Sequence, residues 1–283
     1  MSNILYVTSF NKDLFNATGR DMVNSFLSVG VEGDFLVTYE DGIKDEIPQS
    51  DNILLLDLDS HDFLQNWLQK HDSLIPVEYG GTMKGCDCAK LPESEHYLKK
   101  HVRRCPNLGF NRRSSLWFRK IAAMNHALKL SDEKGYSKII FIDSDVVVKR
   151  KITEEFINKV FGDNGFFFHL GAHRKRIETG IESGFIGFSR ENMGFDFLNI
   201  VIDKFKTDDF KKYDRWDDGY IFRKAWEEHP EIPSRDVVGP HQLKPYAHVV
   251  RYGLFAKYIA HDKGSHMRKY KIFKDTTGAE ITW

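Results

Sequence analysis

Two aspartates one residue apart, Asp143 and Asp145, interrupt an apolar run that reads Ile139-Ile140-Phe141-Ile142 before them and Val146-Val147-Val148 after them. The β-branched content and length of that run predict a buried strand. Burying ionised carboxylates is costly unless they are paired or metal-bound, so the pair is expected at the strand's C-terminal end, where the chain leaves the sheet. Side chains alternate along an extended chain, which predicts that Asp143 and Asp145 point the same way and approach one cation together. Hard oxygen ligands suit Mg²⁺ or Mn²⁺, and two carboxylates plus two phosphate oxygens supply most of an octahedral shell. The pattern is duplicated, because Leu54-Leu55-Leu56 leads into Asp57-Leu58-Asp59. The tripeptide alone therefore leaves a solvated acidic turn open beside a metal site.

Positioning such a pair requires a sheet. Ile4 to Thr8 reads as a first strand, with Ser9-Phe10-Asn11 leading into a helical pattern through Leu14, Met22, Val23, Phe26 and Leu27. Gly33 to Tyr39 and Ile53 to Leu56 read as further strands with acidic ends at Glu40-Asp41 and Asp57-Leu58-Asp59, and Phe63 to Leu68 as a helix. A helix from Ser114 feeds the Asp143 strand; helices are expected over Ile152–Val160, Phe195–Phe205 and from Trp216, and strands at 165–170 and 182–188. His173, Arg174, Lys175 and Arg176 read as a basic loop, and the chain beyond Pro230 as irregular. Repeated β units with polar C-terminal edges predict an α/β fold with its ligand crevice along those edges.

Composition narrows the function classes. The 283 residues are 41% hydrophobic, enough for a real core, and 41 basic residues balance 41 acidic ones, so no global field favours nucleic acid or an anionic membrane. No stretch is apolar enough to span a bilayer, and the start of the chain does not read as a secretion signal; a cytoplasmic protein is expected, in the host cytoplasm if the source is viral. Cys86, Cys88 and Cys105 form an odd set that fits free thiols in a loop-rich insert over 75–111 better than a disulfide framework or a zinc site completed by His96 or His101. The basic run Lys99 to Arg104 reads as a solvated face of that insert or as part of an acceptor site.

Three further motifs follow the acidic pair in order: Glu182-Ser183-Gly184-Phe185, Trp216-Asp217-Asp218, and His261-Asp262-Lys263-Gly264. Their sequence resembles the GT-A glycosyltransferases, in particular soluble enzymes of large DNA viruses and bacteria with S-E-T-G-F, W-H-D-S and D-H-x-K-G signatures. The resemblance spans roughly Ile4 to Lys269. It implies one GT-A domain over 1–283 with a mixed central sheet flanked by helices, a nucleotide-sugar part at about 1–148 and an acceptor part at about 149–283. It implies a metal-dependent transfer from a nucleoside diphosphate sugar, most simply a UDP-sugar, to a glycan hydroxyl. Asp143, Asp145 and His261 are then the ligands of Mn²⁺ or Mg²⁺. Thr8, Ser9, Phe10, Asn11, Glu40 and Ser144 lie with the donor, and Lys120, Lys263, Gly264, Arg268 and Lys269 with its phosphates; His266 competes with His261. Asp218 is implied as the acceptor base of an inverting enzyme and Glu182 as a binder of sugar or acceptor hydroxyls, while Trp216 and Tyr220 offer faces for stacking on a sugar.

Two other classes fit parts of the pattern. A haloacid-dehalogenase-like phosphatase uses an apolar strand ending in D-x-D, with Asp57 or Asp143 as nucleophile and Asp217-Asp218 as later acids. A non-catalytic glycan-binding module needs no acidic pair. A sugar nucleotidyltransferase requires a Gly-rich, Arg-containing loop that Thr8-Ser9-Phe10-Asn11-Lys12 does not supply.

Overall fold

The fold is described from a computed structural model over residues 3–71, 114–176, 178–239 and 248–261. The insert with its three cysteines, and Lys263, Gly264, His266, Arg268 and Lys269, lie outside the described residues.

Alternation explains the layering. In β4 (Lys138–Ile142) Ile139 and Phe141 enter one core, and Ile140 and Ile142 the opposite one. The same period governs β1 (Ile4–Phe10), with Leu5 and Val7 on the first face and Ile4 and Tyr6 on the second. A strand apolar on both faces must be central, and these two are. The sheet has seven strands in the order β3-β2-β1-β4-β7-β6-β8, with β2 at Asp34–Tyr39, β3 at Ile53–Asp57, β6 at Phe166–His169, β7 at Glu182–Ser189 and β8 at Ser234–Asp236. Strands β1 to β4 are parallel; β7 runs antiparallel to both β4 and β6, and β8 is parallel to β6. This is the mixed, helix-flanked α/β sheet expected of the GT-A class, and strands from both halves of the chain share it.

The first face carries α2 (Asp62–Lys70), α3 (Ser114–Lys134), α6 (Gly194–Lys206) and α7 (Asp218–Glu228), whose Trp67, Phe118, Ile121, Phe197, Ile202 and Phe222 fill its core. The second carries α1 (Arg20–Ser28), reached through a π-helical turn at Phe15–Gly19, and α4 (Glu154–Phe161). A two-stranded ribbon of β5 (Val146–Val148) and β9 (Ile259–His261) also packs there through Val146, Val148 and Ile259. The acidic pair follows the C-terminal end of β4, as expected, but the apolar run on its other side is a separate strand in a second sheet. The expected basic loop at 173–176 is instead the short helix α5 (Gly171–Arg176), and β8 and β9 arise where no regular element is expected.

His169 ends β6 fully buried. Its Nδ1 lies 3.1 Å from the Phe185 carbonyl oxygen. Burial lowers its pKa from 6.5 to about 4, with the Phe185 carbonyl and Glu182 opposing, and His248 and Arg174 reinforcing, that shift. Because the folded value lies below the unfolded one, the unfolded chain takes up a proton first as the pH falls. Stability is complete above pH 6.5 and drains between 6.5 and 4. Denaturant titrations should show about 2 kcal/mol lost through this residue between pH 7.5 and 5, a loss absent from His169→Gln.

Candidate active site

Parallel strands place their following loops on one edge, and ligands of open α/β sheets bind where the strand order reverses. Here the chain runs outward from β1 to β2 and β3, then returns to place β4 on the other side of β1. The loops after β1 and β4 flank that point. The second of them is Asp143-Ser144-Asp145, a tight turn closed by Val146 N donating to the Asp143 carbonyl at 3.0 Å.

In a turn, strand alternation does not hold, and the two aspartates take different partners. Asp143 Oδ1 lies 2.9 Å from Lys120 Nζ, while Asp145 Oδ1 lies 3.2 Å from His261 Nε2. The expectation that they point the same way fails for this reason. Pairing of β5 with β9 sets His261 opposite Val146, which brings the distant histidine to Asp145. Ser144 is buried between them in sequence.

Around Asp143, on the α3 and α7 side, sits an acid cluster neutralised by one cation. Lys120 of α3 is 7% exposed, contacts Asp143, lies 2.8 Å from Asp218 Oδ2, donates to Ser183 Oγ at 3.1 Å and covers the Phe141 ring at 4.4 Å. Ser183 Oγ donates to Asp218 Oδ2 at 2.7 Å, and Gly219 N donates to Asp218 Oδ1 at 2.8 Å. Burial works against the Lys120 charge, but Asp143 and Asp218 outweigh it and raise its pKa. Burial raises the Asp143 pKa against the pull of Lys120, and the charges of Asp218 and Glu182 add to the rise. Lys120, expected on the donor phosphates, has its ammonium committed to protein partners. Asp218, expected as the acceptor base, is 3% exposed with both oxygens engaged.

The second cluster lies toward the β5–β9 ribbon. Glu182 Oε2 is 2.7 Å from His248 Nε2 and 3.1 Å from Arg174, and Glu182 Oε1 accepts from Gly184 N at 3.2 Å. Burial favours the neutral acid, yet His248, Arg174 and His261 hold the Glu182 pKa well below the usual carboxylate range. Gly184 joins the two clusters. A Cβ there would lie 2.8 Å from Asp143 Oδ2 and 3.0 Å from Glu182 Oε1, so its absence lets both carboxylates approach the backbone.

The remaining expected residues are placed variously. Thr8 is fully buried and its Oγ1 has no hydrogen-bond partner, Ser9 is half-buried, and Phe10 belongs to the core against Phe15, which takes its ring away from any ligand. The Asn11 side chain caps the next helical turn by accepting from Leu14 N at 2.9 Å. Glu40, just past β2, takes both its contacts from Arg119 Nε, at 2.9 and 2.7 Å. Trp216 is 9% exposed against Phe210, in the core and not a stacking face. The duplicate acids are structural: Asp57 Oδ1 accepts from Asp59 N at 2.9 Å, and Asp59 Oδ2 accepts from Asp41 N at 2.7 Å, where Asp41 has a positive φ of 62°. Asp217, not Asp218, is the cap of α7, accepting from Tyr220 N, and it pairs with Arg215 at 2.9 Å. His248 went unread in the sequence, since it lies in a stretch without periodicity.

Asp145 Oδ1 and His261 Nε2, a carboxylate and an imidazole 3.2 Å apart, have the spacing of adjacent ligands in one coordination shell, so these two residues fit a divalent cation. Among the described residues, no helix is long and apolar enough to cross a membrane. No family model and no curated protein matches the chain. Among solved structures it is similar to mouse xyloside xylosyltransferase 1 in its apo form, with a TM-score of 0.42, 14% identity, and coverage of 82% of this chain and 84% of that one. It is also similar to a Desulfovibrio desulfuricans G20 protein provisionally assigned as a nucleotide-diphospho-sugar transferase, with a TM-score of 0.38, 12% identity, and coverage of 83% and 79%.

Proposed function

We propose that the protein transfers a sugar from a nucleoside diphosphate sugar, a UDP-sugar in the simplest reading, to a hydroxyl of a glycan acceptor. The observation that carries this reading is the pairing of Asp145 with His261 beside the acid cluster, at the edge where the sheet order reverses between β1 and β4. Asp145 and His261 are the residues that would hold Mn²⁺ or Mg²⁺, and such an ion supplies Lewis-acid neutralisation of a departing diphosphate.

The chain's own residues prepare that site. Lys120 keeps Asp143 in place at the turn, and Asp218 and Ser183 fix Lys120, so the turn bearing Asp145 is anchored before any ligand arrives. Asp218 is thereby a positioning residue in this proposal. Its two oxygens are engaged by Lys120, Ser183 and Gly219 N, which argues against its acting as the base of an inverting course. Glu182, held ionised, suits hydrogen bonding to a hydroxyl rather than proton uptake. In this reading the backbone after β1, around Ser9 and Asn11, and the Glu40–Arg119 pair would face the nucleotide.

Isothermal titration with UDP tests the reading. Binding should require Mn²⁺ and weaken by about 100-fold or more in Asp145→Ala, as expected when one of two protein ligands is lost. Metal-independent UDP binding, or binding unchanged in that variant, would sink it.

A further inference from the structure

Glu182, His248 and His261 each bring a ligand atom to within 4.8 Å of the others, although they come from β7, the segment before the 3₁₀ turn at Val249–Arg251, and β9. The His248 and His261 rings stack with centroids 4.0 Å apart and planes 22° from parallel. The four side chains of Asp145, Glu182, His248 and His261 are 30%, 12%, 14% and 4% exposed, so the donors are shielded but reachable from the Asp145 side.

The contacts within this group are of an unusual kind. His248 Nε2 stands 2.7 Å from Glu182 Oε2, but the two do not align as a hydrogen bond. Opposite Glu182 in the β6–β7 register, His169 adds a neutral imidazole whose Nε2 is buried without a partner.

We propose that Asp145, Glu182, His248 and His261 form a cation site that selects an imidazole-preferring transition-metal ion, Zn²⁺ or Co²⁺, over Mg²⁺. Two nitrogens and two carboxylates form a borderline-soft donor set, whereas Mg²⁺ prefers an all-oxygen octahedron. Asp143 stands outside the set because Lys120 occupies it. Glu182 has capacity for the ion: of about four acceptor positions on a carboxylate, Gly184 N and Arg174 use two. His248 Nδ1 accepts from Val250 N at 3.4 Å, so its proton resides on Nε2 in the metal-free chain. Ligation through Nε2 moves that proton to Nδ1 and gives up this one long hydrogen bond. Arg174 opposes the ion electrostatically, and Arg174→Ala should tighten binding.

The site deepens the transferase reading by naming the ion and two more of its ligands, but cation binding is measured without nucleotide. The chelator-treated full-length chain is titrated calorimetrically with Zn²⁺, Co²⁺ and Mg²⁺, and Co²⁺ coordination is followed by its visible absorption. One ion per chain is expected, with Zn²⁺ and Co²⁺ at least about tenfold tighter than Mg²⁺. His248→Gln and Glu182→Gln should each weaken binding by roughly 10- to 100-fold and alter the Co²⁺ spectrum, while their metal-free circular dichroism matches wild type. Mg²⁺ binding as tight as Zn²⁺, no binding, or affinity and spectrum unmoved in both folded variants overturns the proposal. Selective Zn²⁺ binding without UDP binding would overturn the transferase reading alone. Mn²⁺-dependent UDP binding unmoved by either Gln variant would overturn this site alone.

Discussion

Lys120→Met should destabilise the protein by about 3–5 kcal/mol, which at this chain length lowers Tm by roughly 5–8 °C. The substitution keeps most of the side chain's apolar stem and removes its charge, so packing is largely retained while two carboxylates lose their counter-ion. The two losses are unequal. Asp143 keeps 36% of its side chain exposed and can recover hydration, whereas Asp218 keeps 4% and cannot. The deficit therefore concentrates on Asp218, and Lys120→Met combined with Asp218→Asn should recover at least half of the lost stability. Thermal melts of the two variants decide the matter. A double variant less stable than Lys120→Met alone would show that Asp218 is not the residue Lys120 neutralises.

Gly184→Ala should act on the reaction more than on the fold. The added methyl meets the ends of two short side chains, Asp143 Oδ2 and Glu182 Oε1, and these can swing aside, so a stability loss of about 1 kcal/mol is expected. Swinging aside is what the site cannot tolerate. Asp143 would leave Lys120, and Glu182 would leave the Gly184 amide that it accepts from. A displacement of about 1 Å in a positioned group can cost on the order of 100-fold in turnover, and that loss is expected here in any nucleotide-sugar assay that reports wild-type activity. An unfolded Gly184→Ala, or a folded one at wild-type rate, contradicts this account. Gly187 makes a useful contrast. There an added Cβ would stand 2.2 Å from the Phe167 ring in the core, and instability without a specific catalytic defect is expected.

Strands with apolar residues on both faces, such as β1 and β4, announce themselves because burial on two sides leaves a continuous apolar run. The edge strand β8, Ser234-Arg235-Asp236, carries no such run, since it is half-buried and its Asp236 is engaged by backbone amides of the chain after β6. The site residues divide on the same principle. Asp143, Asp145 and His261 stand in recognisable short motifs, and the structure brings Asp145 and His261 together. That Lys120 is a buried counter-ion and not a surface cation depends on α3 packing on β1 and β4 beside α7, a tertiary fact with no local signature. His248 is invisible in sequence for the same reason: its partners come from β7 and β9.

The β5–β9 ribbon also bears on the order in which the protein folds. Its pairing joins the turn after β4 to the last described strand, with β6, β7 and β8 intervening. Contacts of such high sequence separation pay their loop-closure entropy late. The seven-stranded sheet and the core of its first face are complete before β9 is reached, so a chain emerging from the ribosome would still lack Val250, Phe255 and Ile259 of the second core and half of the site. Among the described elements, closing the ribbon is then the last step of assembly, and native-state hydrogen exchange should find β9 opening at a lower free energy than β1 or β4.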